Sequence, residues 1–204
     1  MASAPPVPVP EPGGLPVSLL VDFDGTISRR DVTDLLLDRH VTDRARLAVL
    51  DAAYEAGTIG SRELAVVDMD LLAVPPERLR ADAAAVPCDE GFVALVALAH
   101  RHGIAVEIVS DGLGFYIEPH LTRLGLGEIP VATNANRLED GGAGVSFPYG
   151  HPACGWCGTC KRGRVLAHRA AGQLTVLVGD GTSDRYAAHH ADIVLATRGL
   201  RSWC

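Results

Sequence analysis

Val17-Ser-Leu-Leu-Val-Asp22-Phe-Asp24-Gly-Thr26-Ile-Ser28 is an apolar run that ends in two carboxylates one residue apart, followed by a Gly-Thr turn. Val17 to Val21 has the near-continuous, β-branched hydrophobicity of a parallel strand covered on both faces. A charge buried partway along such a strand is costly, so Asp22 and Asp24 are expected at its C-terminal end. Ligands bind at that edge of an open α/β sheet, and Gly25 lets the backbone turn away from the site. A carboxylate placed there can serve as a nucleophile or a metal ligand. Taken alone, the segment also reads as an acidic turn that caps the next helix.

The rest of the chain bounds that reading. Its 204 residues, 48% hydrophobic, can bury one substantial core plus a small accessory domain, and no run is long enough to span a bilayer. Residues 1–16, rich in Pro, Ala and Gly, lack the basic start and compact apolar core of a signal peptide and are expected to form a disordered lead-in, which places the protein in the cytoplasm. The net charge of −7, with no basic stripe to offset it, argues against a nucleic-acid partner and favours a small substrate.

From Arg29 to Val86 the pattern turns helical. Val32, Leu35 and Leu36, then Leu47, Val49, Leu50 and Tyr54, fall at three- and four-residue spacings; Ser61 starts a third helix that runs to the Pro75-Pro76 break, and a fourth spans about Glu77 to Ala85. An insert leaving the ligand-binding edge of a sheet is well placed to act as a lid, although an ordinary helical subdomain fits the pattern too. Asp31, just before Val32, has the position of a helix N-cap.

Asp89-Glu90 opens an apolar helix that His102-Gly103 stops, with His100 and His102 at its dipole-complementing end. Ile104 to Val109 reads as a second buried strand tipped by Ser110-Asp111-Gly112. A Ser at a strand end, followed by Gly and a new helix, can offer its hydroxyl and free amides to a phosphate. Ile129 to Thr133 reads as a third strand, with a turn at Asp140 to Gly144. Leu174 to Val178 is a fourth, delivering Gly179-Asp180-Gly181-Thr182-Ser183-Asp184, and Ile193 to Ala196 is a short fifth. Hard oxygen ligands at a strand end suit Mg²⁺, with Asp180 as a direct ligand and Asp184 as a ligand or its neighbour. The sequence ends soon after, at Cys204, and a C-terminal helix is expected to be absent.

His151, Cys154, Cys157 and Cys160 recur at intervals of three, amid glycines that argue for a looped knuckle. Four such ligands can complete a structural, tetrahedral zinc site that would pin the loop; a redox thiol pair or plain free thiols are the other readings. Disulfides are disfavoured in a reducing compartment. Lys161 follows at once and is the only lysine among 18 basic residues, which marks a compact ammonium with a particular task.

Asp22-x-Asp24-x-Thr26 after the first strand, Ser110 after the second, Lys161 before a helix, and Gly179-Asp-Gly-x-Ser-Asp184 after the fourth stand in the order of the four motifs of the haloacid dehalogenase superfamily, which this sequence resembles over about residues 17–200. The resemblance implies a Rossmann-like α/β core with a parallel sheet, comprising 17–28 and 87–204, and a small helical cap at 29–86 as in the phosphoserine-phosphatase-like branch. It implies a Mg²⁺-dependent phosphomonoester hydrolase acting on a small phosphorylated metabolite. Asp22 would be the nucleophile, Asp24 the acid and base, and Lys161 the charge that holds nucleophile and phosphoryl group. Asp22, Asp24, Asp180 and Asp184 would surround the metal, and Thr26, Ser110, Asp111, Gly112 and Asp31 would face phosphate or substrate. The phrase Ser110 to Ile117, with its aromatic pair, narrows the resemblance towards phosphatases similar to the methionine-salvage enzyme for 2-hydroxy-3-keto-5-methylthiopentenyl-1-phosphate, although Gly114 stands where relatives often carry Asp. Two other classes fit the same residues: a phosphotransferase using the same aspartyl-phosphate, and a non-catalytic cysteine-metal module on the same fold.

Overall fold

The computed structural model describes residues 13–72, 74–139 and 142–204. Its centre is a six-stranded sheet made of β1 (Val17–Val21), β2 (Ala105–Leu113), β3 (Val131–Glu139), β4 (Gly142–Ser146), β5 (Leu174–Gly179) and β6 (Ile193–Ala196), in the spatial order β4-β3-β2-β1-β5-β6. β1 pairs in parallel with both β2 and β5. β3 and β6 extend the parallel array on either side, and β4 runs antiparallel to β3.

The two-residue period of β1 explains why its apolar run is unbroken. Leu19 and Val21 enter one core, and Leu20 points into a second with Val109, Val165 and Leu177. A strand covered on both faces has no position for a charge before its end. Leu20 is fully buried, and cutting such a side chain to Ala costs about 2–5 kcal/mol.

Four helices, α1 (Val32–His40), α2 (Arg44–Glu55), α3 (Ser61–Leu71) and α4 (Pro76–Ala84), stand between β1 and α5 (Glu90–Arg101). Asp31 caps α1 by accepting from the Asp34 amide at 3.0 Å. Val32, Leu36 and Leu79 share the core of Leu19 and Val21, so the helical insert is seated on the sheet's own hydrophobic cluster. α5 begins at the Asp89 cap and stops at His102 and Gly103, the latter at φ +66, as the histidine-glycine pair implied. α6 (Gly114–Arg123) follows β2, while α7 (Lys161–Ala170) and α8 (Arg185–Ala188) bring Val165 and Ala187 to the second core.

Several boundaries differ from expectation. β2 runs on to Leu113 because its pairing with β3 resumes there after a register shift beyond Val109, so Ser110, Asp111 and Gly112 are part of the strand. β3 starts at Val131 and is longer than expected because it forms a hairpin with β4. Of the turn expected at Asp140 to Gly144, Asp140 and Gly141 lie outside the described residues and the remainder belongs to β4, as does most of the 1–16 lead-in lie outside them. α7 begins at Lys161 itself, because Cys160 caps it, with its Sγ accepting from the Gly163 amide at 3.3 Å. A C-terminal helix, α9 (Arg198–Trp203), is present; the buried Leu200 anchors it, and the Leu200 amide donates to the Asp180 carbonyl at 2.8 Å. No helix among the described residues is long and apolar enough to cross a membrane.

Candidate active site

Two parallel strands side by side place the two acidic loops together. Asp22 is the first residue past β1, and its amide donates to the Val178 carbonyl of β5 at 2.9 Å. Asp180 follows β5 directly, and Asp184 ends the 3₁₀ turn Thr182–Asp184. One oxygen from each of Asp22, Asp180 and Asp184 lies within 4.8 Å of the others, and among the described residues this is the one acid, His or Cys group close enough to close on a metal ion.

Lys161 reaches the group from the first turn of α7. Its Nζ lies 2.7 Å from Asp22 Oδ2 and 2.7 Å from Asp184 Oδ1, and donates to Ser183 Oγ at 2.9 Å, with only 3% of the residue exposed. Burial alone would lower the lysine's pKa, but the Asp184 and Asp22 carboxylates raise it well above its usual value, so it stays charged. Burial, reinforced by Asp184 and opposed by Lys161, pushes Asp22 up to about 8. Burial and the Asp184 charge also raise Asp180. Three mutually repelling carboxylate oxygens with one lysine between them form a donor set that fits a hard divalent cation such as Mg²⁺.

Asp24 stands apart from that group. Its Oδ1 accepts from the Val32 amide at the start of α1 at 2.9 Å, and its Oδ2 accepts from the Tyr116 hydroxyl at 2.7 Å. Expected among the metal ligands, its carboxylate is instead taken up by these two donors. Burial raises its pKa to about 7, against the lowering effect of both hydrogen bonds. Gly112 is sterically required here, since a Cβ on it would run into Asp24 Oδ2 and the Tyr116 hydroxyl. Gly25, at φ +70, likewise leaves room for the Asp180 carboxylate.

The expected phosphate-facing residues divide. Ser110 is buried, and its Oγ accepts from the Gly112 amide at 3.0 Å beside Asp22 and Asp24 in a cleft of about 570 Å³. Asp31 lines the same cleft while capping α1. Thr26 is turned away from it, and its hydroxyl donates to Asp180 Oδ1 at 3.4 Å. Asp111 has both oxygens occupied: Oδ2 accepts from the Ser61 hydroxyl of α3 at 2.8 Å and Oδ1 from the Thr159 amide at 2.5 Å. It ties the helical insert and the cysteine loop to the end of β2, and so is a tether where a phosphate ligand was expected.

The cysteine loop belongs to the same seam. The Arg62 amide donates to the Trp156 carbonyl at 3.1 Å, and Arg62 Nε to the Cys157 carbonyl at 3.2 Å. His151, Cys154, Cys157 and Cys160 are not gathered for zinc: Cys160 caps α7, and His151 Nδ1 accepts from the Ala153 amide at 3.2 Å. The loop is held by backbone hydrogen bonds, so the purpose suggested for zinc, fixing the approach to Lys161, is served without it.

Four residues of the site escaped the sequence. Tyr116 was visible only as half of an aromatic pair, and Ser61 only as a helix start. Ser183 was a motif residue without a partner. Arg198, whose NH1 lies 3.5 Å from Asp180 Oδ2, comes from the helix that was not expected.

Residues 19–189 match the family model described as haloacid dehalogenase-like hydrolase. The chain is 27% identical over 190 residues, 87% of its length and 81% of the relative's, to the 2-hydroxy-3-keto-5-methylthiopentenyl-1-phosphate phosphatase of Brevibacillus brevis. In fold it is similar to a HAD family hydrolase from Salmonella enterica serovar Typhi, with TM-score 0.72, 18% identity and coverage of 95% of this chain and 67% of that one. It is also similar to a substrate-bound phosphoserine phosphatase, with TM-score 0.69, 19% identity and coverage of 92% and 90%.

Proposed function

The chain belongs to the haloacid dehalogenase-like hydrolases, and on that premise we propose that it is a Mg²⁺-dependent phosphatase of a small phosphorylated metabolite, with Asp22 as nucleophile. The observation that carries the reading is the lysine bridge: Lys161 Nζ at 2.7 Å from both Asp22 and Asp184, with Asp180 completing an acid group at the strand ends.

Asp22, Asp180 and Asp184 would hold the Mg²⁺, which when bound supplies positive charge against the phosphoryl oxygens. Lys161 opposes the burial that raises the Asp22 pKa, so it favours the ionised nucleophile, and it adds a fixed positive charge where charge develops in the transition state. Asp22 attacks phosphorus, the bond to the leaving oxygen breaks, and an aspartyl-phosphate forms. Asp24, with a pKa near the working pH, gives its proton to that leaving oxygen, then takes one from the water that attacks the aspartyl-phosphate, releasing phosphate and restoring Asp22. Ser110 lines the cleft beside the reacting group.

The α1–α4 insert serves as the lid. Its Ser61 and Arg62 hydrogen bonds to the sheet edge and the cysteine loop support closure over Asp22. Five free cysteines suit a reducing cytoplasm. The test is phosphate release from a panel of small phosphomonoesters with Mg²⁺ and no added acceptor. Release in water supports the hydrolase, whereas release that requires a second metabolite makes the enzyme a transferase.

A further inference from the structure

α6 carries Tyr116 to Asp24, yet its own backbone is weakened beside that residue. Pro119 lies inside the helix and has no N–H to donate to the Phe115 carbonyl one turn earlier. The next residue, His120, is only 1% exposed, and its ring meets two backbone points: Nδ1 lies 2.7 Å from the Tyr116 carbonyl oxygen and Nε2 lies 3.0 Å from the Val86 carbonyl oxygen. A carbonyl oxygen only accepts, so the ring is the donor to these points, and it serves both at once when both nitrogens carry a proton. Its edge also packs on Phe23, the residue between Asp22 and Asp24, with ring centroids 5.6 Å apart and planes at 69°. A polar ring buried this deeply is fixed by its partners rather than by water.

Val86 stands where the helical insert returns to the core. The two connections of the insert run side by side there: the Arg29 amide donates to the Pro87 carbonyl at 2.9 Å, the Asp89 amide to the Ile27 carbonyl at 2.8 Å, and Ser28 bridges Cys88. Arg123, in the last turn of α6, adds a donation to the Ala84 carbonyl at 2.8 Å. At the other end, the Tyr116 hydroxyl lies 3.2 Å from the Thr33 hydroxyl of α1 while it donates to Asp24. His120 is thus the buried joint between the helix that orients Asp24 and the chain that carries the insert.

We propose that His120 is a positioning residue for proton transfer, holding Tyr116, and through it the Asp24 carboxyl, in register with the returning connection of the insert. This rests on the phosphatase reading of the site and deepens it, since proton donation to the leaving oxygen then depends on how the insert is seated. His120 touches neither the cleft nor the reacting atoms; it acts only through Tyr116. Its loss therefore weakens the acid more than it weakens phosphate binding. Esters whose leaving group needs a proton feel the loss, and esters whose leaving group departs as a stable anion do not.

The test compares kcat/KM of the Mg²⁺-loaded enzyme for a small alkyl phosphomonoester and for 4-nitrophenyl phosphate, because that constant reports formation of the aspartyl-phosphate. His120→Phe, whose folding is checked by its melting curve, loses on the order of tenfold on the alkyl ester and less than about twofold on the nitrophenyl ester. His120→Gln, which keeps a donor for one carbonyl, loses less in the same direction and serves alone if His120→Phe does not fold. Added to Tyr116→Phe, neither change widens the gap between the esters, because the path to Asp24 is already cut. A readout without turnover is the Tyr116 signal of protein labelled with ¹³C at tyrosine Cζ, identified by its absence in Tyr116→Phe. In the metal-free protein His120→Phe moves it towards its position in Asp24→Ala, while the other three tyrosines stay in place. Equal losses on the two esters, a selective loss undiminished in Tyr116→Phe, or a Tyr116 signal that does not move overturns the inference and leaves the phosphatase. A moved signal with no ester hydrolysed by the native protein removes the phosphatase and leaves the link from His120 to Asp24.

Discussion

The Tyr116 hydroxyl donates to Asp24 Oδ2 at 2.7 Å, joining α6 to the loop after β1 across 92 residues of sequence. With the Val32 amide on the other oxygen, it fixes the carboxyl that must both give and take a proton, and it holds down a pKa that burial raises to about 7. Formation of the aspartyl-phosphate needs Asp24 protonated, so kcat/KM falls along an alkaline limb as Asp24 ionises. Tyr116→Phe removes a lowering influence, so this limb moves to higher pH, while kcat drops roughly tenfold with the loss of one bond to a buried charge. A pH–rate profile of the variant that overlays the native one contradicts this role.

Lys161 neutralises two buried carboxylates at once. Lys161→Met leaves Asp22 and Asp184 facing each other without a counter-charge. Stability falls by about 3–5 kcal/mol, and Mg²⁺ restores part of it by binding the same acids. Denaturant titrations with and without Mg²⁺ measure both effects. A variant as stable as the native protein in the absence of metal would show that the lysine is not the structural counter-ion of the pair.

Much of this site is legible in the chain because it depends on local order. The period of Val17 to Val21 and the abrupt Asp22 give the central strand and its acid edge, and a sole lysine identifies Lys161. The partners that tune those groups are long-range. Nothing near Tyr116 in sequence points to Asp24, nor anything near Ser61 to Asp111 fifty positions on. Boundaries moved for the same reason: β2 reaches Leu113 only because β3 lies beside it, and α9 is held by Leu200 against a loop that periodicity cannot see. The cysteine spacing misled, since a repeat of three is compatible with zinc but Cys160 is consumed as a helix cap.

That cap gives a test of the loop. Purified protein contains no stoichiometric zinc, and Cys154→Ser and Cys157→Ser keep activity within about twofold, because the loop is held through its backbone. Elemental analysis and steady-state rates decide it. One zinc per chain, with activity lost in either variant, would reinstate the metal.

The Ser61–Asp111 hydrogen bond joins the insert to the sheet edge. Ser61→Ala loosens closure and raises KM a few-fold, as expected for about 1 kcal/mol of lost contact in the closed state, with a smaller change in kcat. A double-mutant cycle with Asp111→Asn measures the coupling, and additivity of the two changes would show that the contact does not hold the lid.

Asp68 carries a stability cost opposite in sign to that of a paired acid. Its folded pKa of about 7 lies above the unfolded value, so the folded state is penalised increasingly as pH rises from about 4 to about 7 and fully above that. Asp68→Asn therefore melts several degrees higher at pH 8, at roughly 2–4 °C per kcal/mol for a chain of this size, and the gain vanishes towards pH 4. Melting curves across that range measure it. A gain that is constant with pH would assign the effect to packing.

The central claim is that Asp22 is the group that takes up phosphorus. Acid quenching of the Mg²⁺-loaded enzyme during turnover, followed by peptide mass spectrometry, locates any phosphoryl adduct. The account predicts an adduct on the peptide containing Asp22, absent in Asp22→Asn, whose turnover falls about 1,000-fold or more while its fold is retained. An adduct on another residue, or near-native phosphate release by Asp22→Asn, contradicts it.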